Sequence, residues 1–384
     1  MNKGWKRNSL LLGASSLFND VGSNAISAIL PFYINGLGGT GIAIGLVSGL
    51  RNGISSFFNL IGGWLSDKLG KRKPLVFLGY LISDIFKFLL LIANSWQSAT
   101  AFDASSRIGK FRDSPRDAII ARFGKKNRGK KFGIQQAMDS AGAVIGTILV
   151  LFLFWELSLN FKSIILIGSI ISVVSLITVS LVKDYKSRKT KKNLIKEDKS
   201  LDKNLKYFIL VASIFVFGNF GFYMFLELRA KEITGNIIMP LILFVVFNIF
   251  YSLFPVFFGN LSDRIGRKKV LLSGYILFFL ISIGLIFSSN IIYLGILFAL
   301  YGLVYAITDS NQRALVSDLS GKAKGTAFGS YYFATGIMAI LGGLIAGVLW
   351  NISYSAMFAF TSAMALISII LMLFVKEKLN RDKI

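Results

Sequence analysis

The chain has 384 residues, of which 54% are apolar, 35 are Phe and only 16% are charged, whereas a soluble domain carries about 25% charged residues. Cys and His are both absent, which excludes disulfides, thiolate or imidazole metal ligation and His-based catalysis. A formal charge of +24 would point to nucleic acid in a soluble chain, but the placement of the charges along this one points elsewhere.

Crossing a hydrocarbon core about 30 Å thick takes roughly 20 apolar helical residues, and the hydropathy pattern predicts helices near 9–34, 41–66, 74–94, 97–119, 130–156, 160–182, 206–231, 236–262, 269–288, 291–315, 324–350 and 352–375. The first follows Lys3, Lys6 and Arg7, runs on from Leu10 to about Ile34 without a small-residue cleavage site, and reads as a helix rather than a removed leader. Asp20 sits about midway along it, beside Asn19 and Asn24. The second helix carries Arg51 and a stripe of Gly41, Gly45, Gly49 and Gly53, a spacing that lets helix backbones approach closely. The third has Asp84 and Lys87. The fourth is the richest in charge, with Asp103, Arg107, Lys110, Arg112, Asp113, Arg116 and Asp117. The fifth has Asp139 with Gly142 and Gly146, and the sixth has no charge away from its ends. A Lys-rich polar stretch, 183–205, reads as a linker and divides the chain into six-helix bundles over 1–182 and 206–384. In the second set, helix seven carries Glu227 and Arg229 and many aromatics. Helix ten carries Asp309 and Arg313, and helix eleven has Gly343 and Gly347. Helices nine and twelve have no charge away from their ends.

Of the 43 Lys and Arg, 33 fall in seven clusters separated by two apolar crossings each. Every cluster is therefore expected on one side of the membrane, which by the positive-inside rule is the cytoplasmic side and holds both termini. That alternation accounts for the charge without a nucleic-acid partner.

The halves also read as copies. Gly63-Trp-Leu-Ser-Asp67-Lys-Leu-Gly70-Lys-Arg72-Lys73 is matched 196 residues later by Gly259-Asn-Leu-Ser-Asp263-Arg-Ile-Gly266-Arg267-Lys-Lys269. The same offset carries Arg128-Gly129-Lys-Lys-Phe132-Gly133 onto Lys324-Gly325-Thr-Ala-Phe328-Gly329, and Gly146 onto Gly342. Two parallel six-helix repeats with a midplane binding site between them are a known transporter plan.

The twice-used Gly-x-Leu-x-Asp-(Arg/Lys)-x-Gly-(Arg/Lys)-(Arg/Lys) segment resembles the signature of the major facilitator superfamily. The stretch Arg107-Ile-Gly-Lys110-x-Arg112-x-Ser-Pro-Arg116-Asp117-Ala resembles that of a prokaryotic subgroup without an assigned substrate. The resemblance implies an all-α membrane fold of twelve helices, with helices 1, 4, 7 and 10 around a central cavity. It implies a gating role for Gly63, Asp67, Gly70, Arg72, Arg116, Asp117, Gly259, Asp263, Gly266 and Arg267. It further implies that Asp67 and Asp263 each meet a helix start of the opposite half, near Gly325 and Gly129, when the cytoplasmic side is closed. Read as residues alone, Gly70 and Gly266 permit tight turns, and a carboxylate at a helix C-terminus needs a partner outside its own helix.

Charges inside a span are costly and therefore mark function or internal pairing. Asp20, Asn24, Asp103, Arg107, Lys110, Glu227, Asp309 and Arg313 are the candidate substrate and proton pathway. Asp20 is the favoured proton-exchanging carboxylate, against a plain structural hydrogen bond. Asp103, Arg107 and Lys110 recur at i, i+4 and i+7 on one helical face, either as an anion-attracting wall or as packed ion pairs. Asp84 and Lys87 read as an internal pair. No phosphate-cradling Gly-rich loop ending in Lys-Ser/Thr is present, so direct ATP drive is not expected.

The expectation is a monomeric, multi-pass secondary transporter of the cell membrane. It alternates access and couples export of small organic compounds to a proton gradient, with membrane lipid and the substrate as partners and no cofactor, metal or enzymatic activity. The alternatives are import or exchange of a small organic anion and, in another class, a transporter-like sensor or lipid-moving protein.

Overall fold

The computed structural model describes residues 3–69, 71–122, 128–182, 201–320 and 324–377. Every regular element among them is helical. In chain order these are α1 (Lys3–Gly36), α2 (Gly41–Leu69), α3 (Lys73–Leu89), α4 (Trp96–Ser106), α5 (Asp113–Arg122), α6 (Arg128–Trp155) and α7 (Phe161–Ser180), then α8 (Lys203–Gly218), α9 (Tyr223–Thr234), α10 (Ile238–Leu253), α11 (Pro255–Ile265), α12 (Arg267–Ile286), α13 (Ile291–Leu319), α14 (Lys324–Ile352) and α15 (Tyr354–Leu373). They form twelve spans, because α4 with α5, α8 with α9 and α10 with α11 are each one crossing interrupted partway. Residues 183–200 of the expected linker lie outside the described residues, and α8 already begins at Lys203.

By length and apolarity alone, eight helices qualify as spans, or nine if the bent α10–α11 pair counts as one. The three crossings left over are α1, α2 and the α4–α5 span, which carry Asp20, Arg51 and the charge-rich 103–117 segment. Their polarity is the reason they fall short, and inside the bundle that polarity faces water and other charges rather than lipid.

The three interruptions correct the continuous helices expected at 97–119, 206–231 and 236–262. In the fourth span, Arg107–Arg112 winds as a 3-10 segment between α4 and α5. It lies close against α3: a Cβ on Gly109 would come within 2.2 Å of the Gly79 carbonyl oxygen. In the seventh span, α8 stops at Gly218 and Gly221 adopts φ +135, a region open to glycine. A Cβ there would also meet the Ser48 side chain at 2.7 Å. The Phe220 carbonyl freed by the break accepts a hydrogen bond from Asn52 Nδ2 at 2.7 Å. In the eighth span the break falls before Pro255, whose missing N–H suits the first position of α11, and the two pieces meet at 43°.

The internal duplication reappears as repeated contacts. A Cβ on Gly146 would lie 2.4 Å from the Val21 carbonyl, and one on Gly342, 196 positions on, 2.1 Å from that of Phe217, itself 196 positions after Val21. Gly22 packs on Gly168 in the first half, and Gly218 packs on Met364 at the matching place in the second. Such backbone-to-backbone approach is open only to glycine and fixes the distance between spans.

The halves meet along α2 and α14. The stripe expected on α2 is in close contact: a Cβ on Gly45 would lie 2.0 Å from the Gly343 carbonyl, and Gly41, Gly49 and Gly53 face Gly347, Ala339 and Gly336. Gly142 packs instead on Leu17 of its own half. At the end remote from the termini, the Gly41 N–H donates to Asn351 Oδ1 at 2.8 Å and Lys231 Nζ donates to Asn35 Oδ1 at 3.3 Å, so the two halves are joined there. At the terminal end a cleft of about 830 Å³ is lined by Leu60, Gly63 and Trp64 of the first half and Phe328, Gly329 and Phe333 of the second.

Filling the α2–α14 contact should therefore cost stability. Gly45→Val is expected to lower the melting temperature in detergent, in line with the roughly 1–3 kcal/mol of an overpacked site. Gly259→Ala, with open space around it, should leave it unchanged.

Candidate functional site

Between the halves lies a cavity of about 470 Å³. Its lining includes seven basic side chains (Arg51, Lys87, Arg107, Lys110, Arg112, Arg116, Arg313) and six acidic ones (Asp20, Asp103, Asp113, Asp117, Asp139, Asp309). All but Asp309 and Arg313 belong to the first half. The facing wall is built from Tyr223, Phe244, Phe247, Tyr251, Tyr305 and Asn248 of the second. The cavity thus has an ionic wall and an aromatic wall.

The fourth span sets the ionic wall. A 3-10 segment has three residues per turn, so Arg107 and Lys110, three apart within it, stack in one row, and Asp113 and Arg116 follow in the first turn of α5. Asp113 pairs with Lys110 and Arg116 at 3.6 Å each and with Arg112 at 3.9 Å. Arg112 also sits over the Tyr80 ring at 4.3 Å and donates to Ser83 Oγ at 2.9 Å. Arg107 and Lys110 remain the more open cations, with 16% and 31% of their side chains exposed.

Deeper in the cavity, Asp103 Oδ1 takes Arg51 Nη1 at 3.3 Å and lies 3.8 Å from Arg107 Nη2, while its Oδ2 has no hydrogen-bond partner among the described residues. Arg51 donates its other terminal nitrogen to Ser27 Oγ. Lys87 is held by Asp84, Asn19 and Ser172 at 3.1, 3.0 and 2.9 Å. The expected Asp84–Lys87 pair is therefore present, but Lys87 also lines the cavity and ties three spans together.

Asp20 accepts from Asn19 Nδ2 at 3.0 Å, and Asn24 donates to the Asp20 main-chain carbonyl at 2.9 Å. Across from it, Asp139 accepts from Gln135 at 2.8 Å and lies 3.8 Å from Arg116. Asp20 and Asp139 are near enough for their charges to interact. Asn19 links the Lys87 ammonium to Asp20, so these three side chains form one connected polar chain. On the other side, Asp309 pairs with Arg313 at 2.9 Å and accepts from Tyr251 at 3.3 Å.

Of the expected pathway residues, Asp20, Asn24, Asp103, Arg107, Lys110, Asp309 and Arg313 all line this cavity. Glu227 does not. It is fully buried one turn beyond Tyr223 on α9. Arg51, Lys87, Arg112, Asp113 and Asp139 are lining charges missing from both expected sets, and Arg116 and Asp117, expected in the gate, line the cavity as well. For the first five, the available signal was an ionisable group inside an expected span. The aromatic wall had no signal, because Phe and Tyr are spread throughout the chain.

The motif residues are placed as follows. Gly63 and Asp117 line the terminal-side cleft, and Arg116 pairs with Asp117 at 3.1 Å. Asp67 lies in the last turn of α2 and its side chain is outside the described set, as is Gly70 altogether. Arg72 caps the start of α3. Gly266 has φ +100, the tight turn expected between α11 and α12. Asp263 pairs with Arg267 at 2.8 Å, and Arg267 with Asp318 at 2.5 Å. Glu377 accepts from the N–H groups of Arg267 and Lys268 at 2.7 and 2.9 Å. With the cleft open, this second-half motif is bonded within its own half.

The sequence model for the Major Facilitator Superfamily matches residues 12–235 and 237–384, and the chain belongs to that family. An uncharacterized MFS-type transporter of Methanocaldococcus jannaschii is 44% identical over 96% of this chain and 95% of its own length. A multidrug resistance protein MdtH of Baumannia cicadellinicola is 23% identical, over 53% of this chain and half of its own. Among solved structures, the nucleoside transporter NupG aligns with a TM-score of 0.78 over 98% of this chain and all of its own, at 14% identity. A bacterial homolog to the human lysosomal transporter Spinster, in an inward-facing and occupied conformation, gives 0.76 over 98% and 97%, at 13% identity. These likenesses fix the fold: a multi-pass transporter of two parallel six-helix repeats.

The buried Arg51–Asp103 pair makes a sharp prediction. Arg51→Gln strands a buried carboxylate, a loss of about 3–5 kcal/mol for comparable pairs, and should lower the melting temperature clearly. Adding Asp103→Asn should recover most of that loss in the double variant, since the buried carboxylate is gone and Arg107, which loses its 3.8 Å contact, is partly open to the cavity.

Proposed function

We propose that this protein is a proton-coupled secondary transporter that exports small amphipathic organic compounds by rocking its two halves about the α2–α14 contact. The observation that carries the reading is the two-faced cavity: charged side chains on one wall, and Tyr223, Phe244, Phe247, Tyr251 and Tyr305 on the other. An amphipathic solute places its ring or chain on the aromatic wall and its polar group on the ionic one. Coupling to protons is supported by the carboxylates at Asp20, Asp103 and Asp139, which face the cavity beside movable cations. Export is supported by the partial similarity to a multidrug resistance protein. We read the halves as dividing at 183–205, the termini as cytoplasmic from the charge of the loops, and the cleft as opening inward in a cell-membrane monomer.

A second reading, import or exchange of a small organic anion, is favoured by one feature: Arg107 and Lys110 are the cations with the most freedom on the ionic wall.

A toxicity panel in an efflux-deficient host separates the two. Wild type is expected to raise tolerance to several amphipathic compounds, and Asp20→Asn to abolish it. Arg107→Ala should reduce tolerance by about tenfold for anionic compounds alone, the size of one lost charge-assisted hydrogen bond. Well-expressed wild type that protects against nothing would sink export and move the test to anion uptake by proteoliposomes.

A further inference from the structure

Glu227 is the one expected pathway residue that the cavity leaves out, and its surroundings are unusual. It lies on α9 among buried Met224, Phe225, Leu226 and Leu228, and both of its carboxyl oxygens are buried without a hydrogen-bond partner among the described residues. The charge that acts on it is that of Arg51, on α2 of the other half. Arg51, however, is already committed to Asp103 and Ser27. Tyr223, one turn earlier, interacts with Glu227 and with the same Arg51 and Asp103, and Lys231 follows one turn later.

Its position along α9 is the second observation. Tyr223, Glu227 and Lys231 recur at i, i+4 and i+8, so they share one face of the helix. Tyr223 lines the central cavity. Lys231 lines a separate cleft of about 240 Å³ at the sealed end, where it donates to Asn35 across the two halves. Glu227 thus stands between two water-accessible spaces, inside the seal that parts them. Nearer the central cavity, which Asn52 itself lines, the halves are joined by the Asn52 bond to the Phe220 carbonyl and by Gly221 against Ser48.

An ionised carboxylate buried without donors is far costlier than the neutral acid. We propose that Glu227 is the proton-binding group of this seal: it takes up one proton as the seal closes and must lose it before the seal reopens. Loss past Tyr223 into the cavity delivers the proton across the membrane, whereas loss back to the outer cleft returns it. The sign follows from linkage: the closed state holds the proton, so rising pH favours the open one, by at most tenfold in the open-to-closed ratio per pH unit for one proton. This inference rests on the proton-coupled reading above and names its gate.

The native absence of cysteine allows a substrate-free test. Spin labels on Gly36→Cys and Glu232→Cys, at the sealed end, report the distance between the halves in the full chain in lipid nanodiscs across a pH series. The expected result is a longer-distance population that grows with pH in wild type and stays absent at every pH in Glu227→Gln. Glu227→Asp should keep the response with a displaced midpoint, and it carries the test if Glu227→Gln fails to fold. A wild-type response in Glu227→Gln, a Glu227→Gln protein fixed open, or an undisplaced midpoint in Glu227→Asp overturns the inference. Loss of the response in Asp20→Asn but not in Glu227→Gln overturns it while leaving proton coupling standing. No pH response in wild type overturns both.

Discussion

A charge at the depth of the hydrocarbon must be matched by another charge, by hydrogen bonds or by water, and this molecule places thirteen charged side chains around one central cavity. The rest of the architecture answers to that requirement. Spans one, two and four are too polar to face lipid and form the interior of the first half. The uncharged spans lie around them and present apolar surface outward. Asp113, shared by Lys110, Arg112 and Arg116, is the densest point of the arrangement.

Matching so many charges also explains the local breaks. A continuous α-helix from residue 97 to 119 would turn Arg107 and Lys110 about 60° apart around its axis. The tighter 3-10 winding lines them up toward the cavity. In the seventh span, the backbone groups released by the interruption are satisfied from the other half through Asn52, so the break is itself a bond between halves. Irregular backbone inside a membrane protein is tolerated where it is buried in protein or lines a cavity, and both breaks meet that condition.

Motion needs a surface on which the halves can shift, and the glycine contact between α2 and α14 supplies one. Backbone lies on backbone at Gly45 and Gly343, with Ile340 and Trp350 the side chains seated on the stripe at Gly53 and Gly41. Hydrogen bonds at the sealed end, by contrast, are few and polar: Gly41 to Asn351 and Lys231 to Asn35. Such bonds exchange readily for water, whereas the apolar residues packed there from both halves, Ile44, Leu228 and Trp350 among them, hold the sealed end shut. At the other end Arg267 holds Asp263 and Asp318 within its own half, which leaves that side free to stand open.

Much of this was legible in the sequence. Apolar runs together with the regular spacing of the basic clusters gave the crossings, the 196-residue offset gave the repeat, and the repeated Gly-x-Leu-x-Asp segment gave the family, because each depends on periodicity along the chain. Intramembrane charges such as Asp20, Arg107 and Asp309 could be picked out one by one for the same reason: each is costly where it stands. Partnership could not be read. That Arg51 joins Asp103, that Lys87 reaches Asn19 and Ser172, and that Glu227 is left outside the cavity depend on which helix faces come together. Tertiary packing alone decides that, since a residue's cost in the membrane is a local property and its compensation is supplied by other spans.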